Sequence, residues 1–251
     1  MPNSKTVRKA ALSGIGAALL AVGSSAFAHT TILSQATEGT TADNALKIGH
    51  GCTTPAGFMI PVIAQSVVFP TDSPVVTASD GSAVANLSDV IVQGSVAGLL
   101  SPIQSRDIFQ SQQLKGDALG NKIGWSSTRG SLTPFFVGRV PFQFAPPNFV
   151  ATSCAKRLLI KVAIADICVR EIGGGLDEGK LNLWVPDNGS HYAAAAAANN
   201  IDGLGAPATL TVNRNLAANP LPSGCGAGID VTVTPSAADV DAHLPIPGYW
   251  E

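Results

Sequence analysis

Short apolar, β-branched runs alternate with turn residues along most of the chain. Such runs at roughly regular spacing, with Pro and Gly between them, are typical of an all-β sandwich or barrel. The 26 Gly and 17 Pro residues supply the turns that this architecture requires. The pattern predicts strands over residues 62–69, 89–96, 135–144, 158–169, 181–185, 208–212 and 229–234.

The longest of these runs, LLIKVAIADICV at residues 158–169, is the predicted central strand. A buried helix would also explain an apolar run of this length. The β-branched content of the run and the glycines nearby favour a strand instead.

Two segments differ from the strand pattern. The unbroken alanine run at residues 193–198 predicts a short helical turn, because alanine is the best helix former, and we place it on the surface of the sandwich. The tail over residues 235–251 contains three prolines and is predicted to lie extended over the domain.

The N-terminal residues 1–28 have the three parts of a secretory signal peptide. The basic residues are Lys5, Arg8 and Lys9. An apolar run at residues 10–22, too short to cross a bilayer, follows them and precedes the A-x-A cleavage site at residues 26–28. Cleavage there predicts a periplasmic or secreted protein that begins at His29. The predicted sandwich then spans residues 29–234.

The charge of the chain excludes some classes of partner. The formal net charge is −2 with 13% charged residues, and removal of residues 1–28 takes away three basic residues and no acidic one. A mildly acidic chain of this kind is not expected to bind nucleic acid or anionic membranes. No apolar run after residue 28 has the length of a membrane span, so none is expected in the mature chain.

Four cysteines remain after cleavage: Cys52, Cys154, Cys168 and Cys225. An even number in an exported chain favours two disulfides, with three possible connectivities. A thiolate metal site is the alternative. Such sites usually contain closely spaced C-x₂-C pairs, whereas no two cysteines here are closer than Cys154 and Cys168.

Histidine is the main candidate for chemistry, because no nucleophile elbow, P-loop, dinucleotide fingerprint or H-E-x-x-H motif is present. The histidines are His29, His50, His191 and His243. As the first mature residue, His29 offers a metal both its α-amine and its ring Nδ1. An α-amine has a pKa near 8, so its deprotonation costs little at neutral pH. Nitrogen donors of this kind suit Cu(II). His50 is either a ligand or a surface-loop residue, and the other two are expected at the surface.

Two stretches resemble the YcnI-type copper-binding domain of bacterial exported proteins. The first is HTTI at residues 29–32 followed by KIGHGC at residues 47–52. The second is LLIKVAIADIC at residues 158–168 with KLNLWVPD at residues 180–187. Domains of that family commonly begin with histidine, carry an H-G-C motif at a similar distance, and have a tryptophan-containing strand in their second half. The middle and the end of this chain have no counterpart in the resemblance.

The resemblance implies an immunoglobulin-like β-sandwich with a copper site built on His29. Trp184 would pack beside the metal. The third element of the site would be Glu38, or His50 in its place, which would give a two-histidine site. The disulfides that the resemblance implies are Cys52 with Cys168, which leaves Cys154 with Cys225.

Three functions follow from these observations. The leading prediction is an exported copper-binding protein that stores, delivers or scavenges the metal, with copper-trafficking proteins as partners. The first alternative is a copper-dependent oxidase of the polysaccharide monooxygenase type, which needs a second histidine (His50 or His191) and an aromatic face for the glycan. The second alternative is a metal-free structural surface protein, which the low charge and many small residues would suit.

Overall fold

The computed structural model describes residues 29–71, 73–84, 86–170, 172 and 175–250. The predicted signal peptide lies outside the described residues. Within them the chain forms fifteen strands, two α-helices and one 3₁₀ turn at Leu87–Asp89. The strands are β1 (Thr31–Ile32), β2 (Ala36–Thr37), β3 (Ala42–Ile48), β4 (Cys52–Thr53), β5 (Met59–Ile60), β6 (Ala64–Val68), β7 (Val75–Ala78), β8 (Leu100–Pro102), β9 (Phe109–Gly116), β10 (Lys122–Gly130), β11 (Gly138–Phe144), β12 (Ala155–Ile167), β13 (Leu181–Trp184), β14 (Ala208–Asn213) and β15 (Ile229–Thr234). The helices are α1 (His191–Ala198) and α2 (Ala237–His243).

Two sheets pack against each other. The smaller sheet has the strand order β1-β3-β11-β8, and the larger one runs β2-β14-β12-β6-β10-β9, with β13, β15 and β7 joined to it around β12. Side chains such as Leu46 and Phe142 of the smaller sheet share one core with Trp125 and Ile160 of the larger sheet. The predicted all-β sandwich with short helical insertions is therefore confirmed.

The long strand β12 is the centre of the larger sheet. Its N-terminal part pairs with β14 and β15, and its C-terminal part pairs with β6 and β13. One face of the strand lies in the sandwich core, whereas Ala163, Ala165 and Ile167 lie in a second core on the other face. A strand buried on both faces reads as a near-continuous apolar run. This confirms the predicted central strand.

The two helices cover the outer face of the larger sheet. Tyr192 and Ala196 of α1 and Val240 of α2 lie in the second core. The side chains of Ser190 and Ser236 cap the two helices at their N-termini. The alanine run is helical as predicted, but it is partly buried against the sheet and is not a surface excursion. The prediction of an extended tail is wrong, because the serine cap and apolar burial make residues 237–243 helical.

Lys115 of β9 attaches α2 to the sheet. Its Nζ donates to the carbonyl of His243, the last residue of the helix, and to those of Leu244 and Pro245, both at 3.3 Å. Its fourth acceptor is Ser66 Oγ, at 2.5 Å. Carbonyls at the end of a helix attract a cation. Burial nevertheless lowers the pKa of Lys115 to about 7.

The predicted strands and the structure differ in several places. The predicted strand over residues 89–96 is wrong: this segment forms turns, and its apolar residues Val90, Ile91 and Val96 enter the core from a loop. Conversely, β9 was not predicted, because the sequence FQSQQLKG is mostly polar. In the predicted strand over residues 135–144, only the part from Gly138 is extended, and Phe135 and Phe136 are exposed.

No helix among the described residues has the length and hydropathy needed to cross a membrane.

Candidate metal centre

His29 lies two residues before the start of β1, with its ring against the indole of Trp184. The two ring centroids are 4.8 Å apart and the planes are tilted by 37°. The next residue, Thr30, is buried, which fixes the backbone at this point. The Nδ1 atom of His29 is buried and has no hydrogen-bond partner among the described residues. It is the ring nitrogen that would chelate a metal together with the α-amine.

His50 follows β3 and meets the same indole from another direction. Its ring lies edge-on to Trp184, with centroids 6.5 Å apart and an interplanar angle of 85°. Its Nδ1 contacts the carbonyl oxygen of Gly51, whereas its Nε2 is buried without a partner among the described residues. An Nδ1–H that donates to a carbonyl leaves Nε2 with its lone pair, which is the common arrangement of a metal-binding histidine.

Trp184 is held in place by the buried carboxylate of Asp166. Oδ2 accepts from the indole Nε1 of Trp184 at 2.7 Å and from Thr30 Oγ1 at 2.5 Å. Oδ1 accepts from Gln65 Nε2 at 2.8 Å. The pKa of Asp166 is raised above its usual value, because burial outweighs the opposing effects of the hydrogen bonds from Thr30, Gln65 and Trp184 and of nearby His50. Because three donors from different parts of the chain share the two carboxylate oxygens, Asp166 fixes the orientation of Trp184.

A disulfide fastens the His50 loop to the central strand. Cys52 of β4 is bonded to Cys168, two residues after Asp166 in the chain. The Gly51 carbonyl also accepts from Asn182 Nδ2 at 3.4 Å, which ties the same loop to β13. The other disulfide joins Cys154 to Cys225, so both expected pairings are confirmed. Two disulfides indicate that the chain folds in an oxidising compartment outside the cytosol.

Glu38 belongs to a different hydrogen-bond network. Its Oε2 accepts from the Phe149 backbone N–H at 2.7 Å and from Asn219 Nδ2 at 3.1 Å. Its Oε1 accepts from the Asn215 backbone N–H at 2.7 Å. None of these partners is a partner of Asp166. The structure therefore brings together His29, His50 and Trp184 and places Glu38 where it joins β2 to two loops.

The remaining histidines lie in the helical layer. His191 is exposed at the start of α1, where its ring contacts Tyr192, and His243 ends α2. The tryptophans Trp125, Trp184 and Trp250 are all buried, and the exposed aromatic residues include Phe58, Phe135 and Phe136. A glycan-binding face built on tryptophan is thus not seen among these residues.

The donor set of the centre consists of nitrogen atoms. Within the described residues, no cluster of three or more His, Cys, Asp or Glu side chains is arranged to hold a metal. Two imidazoles alone would make an incomplete site. Cleavage before His29 would add the α-amine as a third nitrogen, so that only two side chains are required. Three nitrogen donors fit Cu(II), and the two unpartnered ring nitrogens are available for it.

Sequence reasoning did not identify Asp166. The signal was present, because Asp166 is the only acidic residue in the apolar run at residues 158–169. A carboxylate in a strand buried on both faces requires compensating donors. Its partners Thr30 and Gln65 carried no comparable signal.

No protein-family model matches the chain, and no curated protein matches it with significant similarity. The fold and the site define a disulfide-bonded β-sandwich protein with two histidines packed around one buried tryptophan. The function is accordingly inferred from the chemistry of that site.

Proposed function

We propose that this chain is an exported copper-binding protein that stores, delivers or scavenges Cu(II). The observation that supports the proposal is the pair of buried, unpartnered ring nitrogens, His29 Nδ1 and His50 Nε2, beside the single indole of Trp184. A buried polar atom without a partner costs about 1–3 kcal/mol. Two such atoms next to one side chain are explained most simply by a ligand that both of them bind.

The residues of the site have separate roles in this proposal. His29 supplies its α-amine and Nδ1, and His50 supplies Nε2. The contact of His50 Nδ1 with Gly51 sets the tautomer that leaves Nε2 free to bind. Trp184 shields one side of the site from water, and Asp166 holds Trp184 in that position through the bond to its indole nitrogen.

Export and metal binding are coupled in this proposal. In a peptide bond, the nitrogen of His29 is a poor donor, whereas a free α-amine is a good one. A precursor that keeps the segment before His29 should therefore bind copper weakly. Periplasmic or extracellular copper-trafficking proteins are the partners that would deliver the ion or receive it.

The test compares two proteins that differ by one residue: the chain that begins at His29 and a chain that retains Ala28. N-terminal sequencing confirms each start, and Cu(II) titration with electron paramagnetic resonance measures binding. We expect one tight equivalent with a nitrogen-rich axial spectrum for the chain from His29. The extended chain should keep the fold, as judged by circular dichroism, and lose at least about tenfold in affinity.

Equal copper affinity in the two proteins would overturn the proposed role of the α-amine. Absence of tight copper binding in both would leave the metal-free structural alternative. If the copper-loaded protein oxidised a glycan in the presence of ascorbate and O₂, the oxidase alternative would replace storage and delivery.

A further inference from the structure

A cleft lies between the open edges of the two sheets, away from the candidate metal centre. It is bounded by β8, the edge strand of the smaller sheet, and by β9 and β10 of the larger one. Its volume is about 210 Å³, and its lining includes Pro102, Gln104, Gln112, Leu114, Lys122 and Trp125. The strands β12 and β6 separate β10 from β13, which carries Trp184. The cleft is therefore distinct from the candidate copper site.

Trp125 lines this cleft from beneath its surface. The residue is 0% exposed, and its Nε1 has no hydrogen-bond partner among the described residues. The ring is fixed by Phe142 and Phe69, whose centroids lie 5.6 Å and 6.1 Å away. Because the indole is fixed beneath the cleft, its N–H resonance can report a molecule that binds above it.

Lys122 adds a positive charge to the cleft. Its Nζ donates to Ser101 Oγ at 2.9 Å, and none of the described residues that line the cleft is acidic. Gln112 accepts from the Ser105 backbone N–H at 3.1 Å through Oε1, so its amide N–H₂ remains available to donate. Pro102 and the exposed Leu114 provide apolar surface. The lining thus combines hydrogen-bond donors and one cation with an apolar wall.

We propose that this cleft binds a small amphipathic carboxylate. The carboxylate would accept from the Lys122 ammonium and from the side-chain amide of Gln112, and the bond from the ammonium is charge-assisted. A short apolar body would lie on Pro102 and Leu114. The cleft is smaller than the pockets of roughly 300–1,000 Å³ that hold drug-sized ligands, which limits the body to a single ring or a short chain.

Benzoate and its uncharged analogue benzamide are suitable probes, because they have nearly the same shape. Binding is followed by ¹H–¹⁵N nuclear magnetic resonance of the three tryptophan indole N–H groups, assigned with Trp→Phe variants. We expect benzoate to shift the Trp125 resonance with a Kd of about 1 mM or tighter, and benzamide to bind about tenfold more weakly. The Trp184 resonance should not move, because β6 and β12 separate the strand that carries Trp184 from the cleft.

A matched pair of lysine variants tests the role of the charge. Lys122→Met should weaken benzoate binding about tenfold. Lys161→Met is the control, since Lys161 Nζ makes a bond of the same length, 2.9 Å, to a hydroxyl, Thr209 Oγ1, outside the cleft. That variant should bind benzoate like the unmodified protein.

Several results would overturn the proposal. They are an unshifted Trp125 resonance at about 10 mM benzoate, equal affinities for benzoate and benzamide, and unchanged binding by Lys122→Met. If Lys122→Met does not fold, Leu114→Trp replaces it as the test, because Leu114 is exposed and a larger side chain there should close the mouth of the cleft. Undiminished benzoate binding by Leu114→Trp would equally reject the site.

Discussion

Trp184 donates its indole N–H to the carboxylate of Asp166 at 2.7 Å, between the antiparallel strands β13 and β12. This bond sets the orientation of the ring that both His29 and His50 contact. The candidate copper site therefore depends on a buried polar network in the centre of the larger sheet, and not only on the loops that carry the histidines.

Replacement of Asp166 should separate the loss of a charge from the loss of an acceptor. Asp166→Ala leaves Thr30, Gln65 and Trp184 without their acceptor and should cost about 3 kcal/mol in the free energy of unfolding. Asp166→Asn keeps one oxygen, and its amide can donate to Gln65 Oε1, which is buried without a partner in the described structure. The Asn variant should cost only about 1 kcal/mol.

Urea unfolding followed by tryptophan fluorescence measures both effects. Asp230→Ala is the control, because that aspartate pairs with the partly exposed Arg157 and should contribute no more than about 1 kcal/mol. Equal costs for Asp166→Asn and Asp166→Ala would show that the acceptor function of Asp166 is not what stabilises the site.

The two-histidine site predicts a difference between His50 and His191. His50→Gln removes a ring nitrogen from the centre and should lower Cu(II) affinity at least about tenfold, with loss of a nitrogen signal in electron paramagnetic resonance. His191→Gln, at the exposed start of α1, should change neither. If His50→Gln bound copper as tightly as the unmodified chain, the site would contain a single histidine.

The two disulfides should have similar effects on stability and different effects on copper. They close segments of 116 and 71 residues, and the chain-entropy model assigns about 4–5 kcal/mol to each. Only the Cys52–Cys168 bond holds the His50 loop. Double Cys→Ser variants of each pair, compared by urea unfolding and by Cu(II) titration while folded, should lose copper affinity only for Cys52–Cys168. Equal copper affinities in the two variants would contradict this role.

Lys115 should make stability increase with pH above neutrality. Its pKa is about 7 in the folded protein and near the ordinary 10.5 in the unfolded chain. Between these values the unfolded chain binds more protons than the folded protein, so a rise in pH favours the folded state. We expect the Tm of the unmodified protein to increase relative to that of Lys115→Met between pH 7 and 10, and not below pH 7. Parallel pH profiles in circular dichroism melts would refute this.

Several features of the fold could be read from local sequence. The apolar run at residues 158–169 predicted β12, since burial on both faces removes the polar alternation. The alanine run predicted α1 through helix propensity. The prolines of the tail favour an extended chain, whereas the side chain of Ser236 caps α2 and allows the helix to form between them. The polar strand β9 gave no apolar signal, because it lies at the edge of its sheet.

The sequence by itself determined the residue types of the candidate copper site: a histidine after a cleavage signal, a second histidine beside a cysteine, and a tryptophan in a short strand. Only the tertiary structure decided that His50, rather than Glu38, meets His29 at Trp184, and that Asp166 supports them. The Thr30–Asp166 bond joins residues 136 positions apart. Periodicity and propensity act over a few residues, whereas contacts at this separation depend on the register of strands that pair across the sheet.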